Sequence, residues 1–183
     1  MADSVLLMVG TRKGAFLFQS DRGRNKWEAS GPYFEGSEVF HVACHSGGAG
    51  PRVYTAVNQM VWGSEVSVAD DLGASWRSLG SPKYAPGLGL TVDQVWHIEP
   101  GRPSEPDVVY AGVAPAGLFV SREGGPWQEV VGLNQHPTRD KWQPGLGAFA
   151  FTPLPWTLTI LGGYLRRRCI SDPRRWRNLE PGE

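Results

Sequence analysis

The sequence predicts an all-β protein assembled from repeated short antiparallel sheets, and three observations carry that expectation. Val95 to Trp127 divides into three β-rich runs, Val95 to Ile98, Val108 to Val113 and Leu118 to Ser121, separated by Gly/Pro clusters, and a Gly-Gly turn leads into a fourth run, Trp127 to Val131. The same ruler fits an earlier stretch. V-F-H-V-A-C at Val39 to Cys44 matches V-W-H-I-E-P at Val95 to Pro100, R-V-Y-T-A-V at Arg52 to Val57 matches V-V-Y-A-G-V at Val108 to Val113, and Val66 to Asp71 matches Leu118 to Glu123. Trp27, Trp76 and Trp127 recur at intervals of 49 and 51 residues, a period in the range of propeller blades.

The beginning of the chain fits the ruler with one part missing. Val5 to Thr11 corresponds to a second strand, Gly14 to Ser20 to a third and Lys26 to Ala29 to a fourth, with no first strand ahead of them. In a closed ring such a unit is completed by a strand from the other end of the chain, which removes exposed sheet edges. The expected units are therefore residues 5–29, 37–79 and 93–131, inside a propeller domain of residues 1–150.

Composition agrees. The 183 residues are 40% hydrophobic and 20% charged, a globular balance, and 24 Gly with 15 Pro suit many short strands joined by turns. No run approaches the ~18 apolar residues of a membrane span, and the N-terminus lacks the pattern of a secretory signal, so a cytoplasmic protein with no membrane partner is expected. Cys44 and Cys169 show neither a disulfide framework nor metal-ligand spacing, and Cys44 reads as a small buried apolar residue.

Residues 151–183 break the pattern. They hold six Arg against Asp172, Glu180 and Glu183, a local charge of +3 in a chain that is neutral overall. A shifted reading frame over Phe151 to Tyr164 permits a first-strand sequence, and a second shift over Leu165 to Glu180 permits a full turn motif ending in Trp, in phase with the earlier period. The expectation is that 151–183 is an out-of-frame or disordered basic tail on a truncated propeller, and that no nucleic acid is bound.

The turns carry the family signal. A-D-D-L-G-A-S-W, Ala69 to Trp76, resembles the Asp-box of bacterial neuraminidase (BNR) repeats, Ser/Thr-x-Asp-x-Gly-x-Thr-Trp, through Asp71, Gly73, Ser75 and Trp76. Ser121, Glu123, Gly125 and Trp127 form a shorter copy with Glu for Asp, and Ser20 to Trp27 a more divergent one. The box is a structural turn: the acid accepts backbone N–H groups, Gly supplies positive φ, and the Trp packs between sheets. Together with G-T-R-K-G-A-F, W-H-I-E-P and H-P-T-R-D-K-W-Q-P-G, these turns make Val5 to Ala150 resemble bacterial BNR-repeat proteins of the sialidase-like, glycosyl-hydrolase-like group. The resemblance implies a seven-bladed β-propeller, of which this chain holds about three four-stranded blades. It fixes a fold far better than a reaction.

In a propeller of this kind ligands sit on the face opposite the Asp-box turns. That rule collects Arg12, Lys13, His41, Asn58, Trp62, Trp96, His97, His136, Arg139 and Trp142 as candidate ligand-binding residues. Trp faces stack on sugar rings, Arg and Lys hold anionic groups, and His hydrogen-bonds or transfers protons. The alternative is that the His pair bonds neighbouring sheets and the Trp residues fill gaps. No metal or cofactor is expected, because one His per repeat is not a ligand spacing.

A catalytic set is not identifiable. Glycosidases need two carboxyl groups flanking the bond, and sialidases use a Tyr nucleophile with an Arg cluster. The acid motif of xyloglucanase-like propellers meets Arg12 and Lys13 in T-R-K-G-A, and Glu35, Glu38, Asp93 and Asp140 have no evident pairing. Glycan or anionic small-ligand binding leads, with an exo-sialidase or xyloglucanase-like hydrolase of the full-length protein and a protein-assembly scaffold as alternatives.

Overall fold

The computed structural model describes residues 4–45 and 50–142. Among them three antiparallel sheets follow one another along the chain. The first contains β1 (Ser4–Thr11), β2 (Gly14–Asp21) and β3 (Trp27–Tyr33). The second contains β4 (Glu38–His45), β5 (Arg52–Gln59), β6 (Gly63–Ala69) and the short β7 (Arg77–Ser78). β8 (Gln94–Pro100), β9 (Val108–Ala114), β10 (Gly117–Arg122) and β11 (Gln128–Glu129) make the third. Within each sheet every strand pairs with its sequence neighbours. The three sheets do not close on themselves. One helical turn, α1 (Val131–Asn134), and a 3-10 turn, Arg139–Lys141, follow the third sheet.

The first sheet has three strands and the other two have four each, and β3 runs on to Tyr33, past the expected limit at residue 29. The strand equivalences are visible in the ladders. Val5, Val53 and Val109 pair with Ser20, Ala69 and Ser121 respectively, so β1, β5 and β9 occupy one position in their sheets. β4 and β8 share a bulge at the same place, between Val39 and His41 and between Val95 and His97.

Packing explains why β5 lacks the alternation of a half-buried strand: it is covered on both faces. Tyr54 and Ala56 join Val66, Val68, Ile98, Val109, Ala111 and Phe119 in the core between the second and third sheets. Val57 points the other way, to Ala15, Val39, Tyr33 and Phe34 of the seam with the first sheet. Successive strand residues therefore serve two cores.

The turn from Asp71 to Trp76 is held by its own side chains. Asp71 Oδ1 accepts the Ser75 N–H at 2.9 Å and Oδ2 the Ser75 hydroxyl at 2.5 Å, bonds that hold the carboxyl below its usual range. Gly73 adopts φ of 93° and lies against Leu17 and Tyr33 of the preceding sheet. Trp76 packs on Tyr33 and Phe34 with ring centroids at 5.4 and 5.0 Å, and Trp127 reaches back to donate to the Leu79 carbonyl at 2.9 Å. Each Trp thus packs onto the sheet before its own. Trp27, whose sheet is the first described, is exposed.

The third turn departs from expectation. Glu123 is in register with Asp71, but it adopts φ of 55° and Gly124 φ of 68°, the conformations taken by Leu72 and Gly73 in the longer turn. With one residue fewer, the left-handed pair starts at the acid itself, and the positive-φ glycine is Gly124 rather than Gly125. The Ser121 hydroxyl closes the turn instead, donating to the Gly125 carbonyl at 2.7 Å. Cys44 is half-buried on β4.

Candidate functional site

Because the strands are antiparallel, the β1–β2 and β5–β6 turns and the starts of β4 and β8 lie at one end of the sheets, opposite the turns that hold Asp71 and Glu123. The predicted site residues divide there into three groups. Arg12 and Lys13 occupy the β1–β2 turn and are exposed, with the Thr11 hydroxyl accepting the Lys13 N–H at 3.0 Å. Arg12 Nε pairs with Glu38 at 3.4 Å across the seam to β4. Glu38 stands opposite Asn58 in the β4–β5 ladder, and Trp62 follows on the β5–β6 turn, 85% exposed beside Met60 and Val61.

The second group lies in the seam between β4 and β8. Trp96 stacks on Phe40, centroids 4.4 Å apart and planes within 8°, and the His41 and His97 rings stand at 4.1 Å. His41 Nδ1 accepts the Ile98 N–H at 3.3 Å, which fixes its lone pair toward the neighbouring sheet. Burial first, and the nearby His97 second, push the His41 pKa down to about 4, with Glu99 pulling the other way. His97 Nε2 lies 3.6 Å from Glu99. In this seam His41 bonds the neighbouring sheet's backbone, and the Trp96 Nε1 is buried without a hydrogen-bond partner.

The third group follows the third sheet. His136 Nδ1 accepts the Thr138 N–H at 3.2 Å and lies 2.8 Å from the Thr138 hydroxyl, whose oxygen accepts from Trp142 Nε1 at 3.1 Å. Arg139 Nη2 donates to the Ala116 carbonyl at 2.7 Å and to the Tyr84 hydroxyl at 3.4 Å, with its guanidinium 5.6 Å from the Tyr84 ring centroid. Tyr84 in turn donates to the Pro115 carbonyl at 2.5 Å. Arg139 therefore latches the segment after α1 onto the β9–β10 turn. Asn58 is equally committed: it is buried, and its amide bonds the Val95 backbone.

Of the ten predicted residues, Arg12, Lys13, Trp62 and His136 present their side chains most freely. Phe40, Tyr84, Met60 and Val61 were missed. Phe40 was recoverable, since V-F-H and V-W-H align it with Trp96; the other three are legible only once the strands are placed. Among the described residues no group of His, Cys, Asp and Glu could hold a metal ion, and no helix is long and apolar enough to cross a membrane. A crevice lined by Arg52, Arg77, Asp107 and Gly124 opens at the opposite end of the sheets, where Arg52 bridges Asp70 and Asp107. The chain matches no family model and no curated protein.

Proposed function

We propose that the three sheets are consecutive blades of an Asp-box propeller and that the end carrying the β1–β2 and β5–β6 turns binds an anionic carbohydrate. One observation carries this reading. The Arg12–Glu38 pair, with Glu38 opposite Asn58, sets the cationic turn of one sheet beside the aromatic turn of the next. An exposed indole offers a flat face to a sugar ring, and a guanidinium with a neighbouring ammonium holds a carboxylate or sulfate. Binding of sulfated and uronic-acid oligosaccharides, measured by titration calorimetry, should weaken at least ~10-fold in both Trp62→Ala and Arg12→Ala, as expected for loss of a stacking or charge-assisted contact. Undiminished affinity in both variants sinks the reading.

A protein-assembly platform is the second reading. Met60 and Val61, 103% and 77% exposed, add apolar surface that a sugar does not need but a protein partner covers. Co-purification of a stoichiometric protein partner that Trp62→Ala releases and oligosaccharides fail to displace would favour it. Hydrolysis has less support: Glu38 is engaged by Arg12, and Glu35, Asp93 and Asp140 are exposed to solvent.

A further inference from the structure

β8 is an edge strand of the third sheet, and its outer edge meets the second sheet. Three side chains of the second sheet hold that edge and the turn after it. Asn58 takes both backbone groups of Val95, at 2.9 and 3.1 Å, and His41 Nδ1 accepts the Ile98 N–H at 3.3 Å. Further along, His45 Nε2 lies 3.3 Å from the Arg102 carbonyl.

The three respond differently to a proton. Asn58 does not titrate. A carbonyl only accepts, so His45 donates to Arg102 in either charge state. His41 is the exception, because the nitrogen that would take the proton already accepts the Ile98 N–H, and an imidazolium has no acceptor left.

The surroundings of His41 decide what a proton does there. The His97 ring stands 4.1 Å away, and Glu99 lies 3.6 Å from His97 Nε2. A proton on His97 makes an ion pair with Glu99 and breaks no contact. A second proton, on His41, breaks the Ile98 bond and sets two cations side by side. The other elements packed on β4 offer little to offset it. β1 has no ionisable side chain, and Asp21 of β2 and Arg52 and Tyr54 of β5 stand toward the other end of their strands. On β4 itself Glu38 is engaged by Arg12 and His45 by Arg102.

We propose that His41 is a proton-operated clasp between the second and third sheets. Protonation expels its ring from the seam and frees the middle of β8, while Asn58 keeps Val95 in place as a hinge. The Phe40–Trp96 stack sits one residue before each His, so the opening loosens that aromatic pair as well. Acid thereby relaxes the seam without unfolding either sheet.

Amide exchange of the full 183-residue chain, followed residue by residue by NMR between pH 6.5 and about 4, tests the clasp. Corrected for the intrinsic rate, protection of the Ile98 amide should fall by up to about tenfold per pH unit, the slope of one proton. Val95, reporting the hinge, and Phe119, reporting the core, should keep theirs. His41→Asn, whose amide oxygen can accept the Ile98 N–H but takes no proton, should remove the slope and retain protection. Glu99→Gln, lacking the offsetting carboxylate, should move the loss to higher pH, and His97→Gln, lacking the repelling ring, to lower pH. A slope that survives in His41→Asn would overturn the proposal by assigning the acid response to other groups. So would loss of protection at Val95 and Phe119 in step with Ile98, which would show that the sheets unfold together.

Discussion

Asn58 forms both hydrogen bonds that the Val95 backbone offers: its Oδ1 accepts the Val95 N–H at 2.9 Å and its Nδ2 donates to the Val95 carbonyl at 3.1 Å. The side chain thus substitutes for a paired strand across the seam between the second and third sheets. It is buried, so the groups it satisfies have no access to water as a replacement.

Removing that clamp should be costly. Asn58→Ala leaves a buried donor and a buried acceptor unpaired, at about 2–4 kcal/mol together. Asn58→Asp keeps only the acceptor and should also destabilise. Urea denaturation followed by fluorescence checks both; a midpoint unchanged in Asn58→Ala would contradict the clamp.

Gly73→Ala should also destabilise, by about 1–3 kcal/mol. The residue sits at φ of 93°, and a Cβ there would lie 2.9 Å from a Leu17 methyl and 3.1 Å from the Tyr33 ring. Gly36→Ala is a useful comparison, because it shares a positive φ, 79°, but has open space around it. Thermal melts of the two variants separate backbone strain from steric collision.

The His41 environment predicts acid sensitivity. Its folded pKa, lowered to about 4, lies below the unfolded value of 6.5, so the unfolded chain binds more protons between these values. Stability contributed by neutral His41 is therefore full above pH 6.5, declines as pH falls toward about 4, and changes no further below that. The loss amounts to roughly 3 kcal/mol at most. Denaturation midpoints across that window should fall in the native chain and fall less in His41→Gln; parallel profiles would contradict the assignment.

Arg52 ties Asp70 in the second sheet to Asp107 in the third, and these carboxylates raise its already high pKa, with Asp107 the larger influence. The groups are partly exposed, so the clasp is worth about 1 kcal/mol and is screened by salt. A double-mutant cycle of Arg52→Met and Asp107→Asn should give a coupling energy of that size at low salt that shrinks in ~1 M salt, where screening is nearly complete. A coupling that does not change with salt would argue for a packing role.

Sequence alone indicated a mostly β chain of short antiparallel sheets, because strand and turn chemistry are local and this chain repeats them. It did not indicate the strand ends: the run expected over Trp127 to Val131 is strand only at Gln128–Glu129, with Val131 opening a helical turn. Val-aromatic-His at two strands, Trp at a period of about 50 residues, and the Asp71 to Trp76 turn pointed to repeated antiparallel sheets, and the described residues form three of them, with three, four and four strands. Residues 151–183 and the proposed frame shift lie outside the described residues. Tertiary structure decided what each polar side chain was for. Asn58, Arg139 and His41 have the same chemistry whether they meet a ligand or a neighbouring sheet, and only the seams show that a backbone amide, a turn carbonyl and an Ile98 N–H already occupy them. Trp62 and Trp96 likewise look alike in sequence. One is left in solvent at a turn and the other stacked on Phe40, because strand register, a long-range property, chooses which aromatic faces a partner.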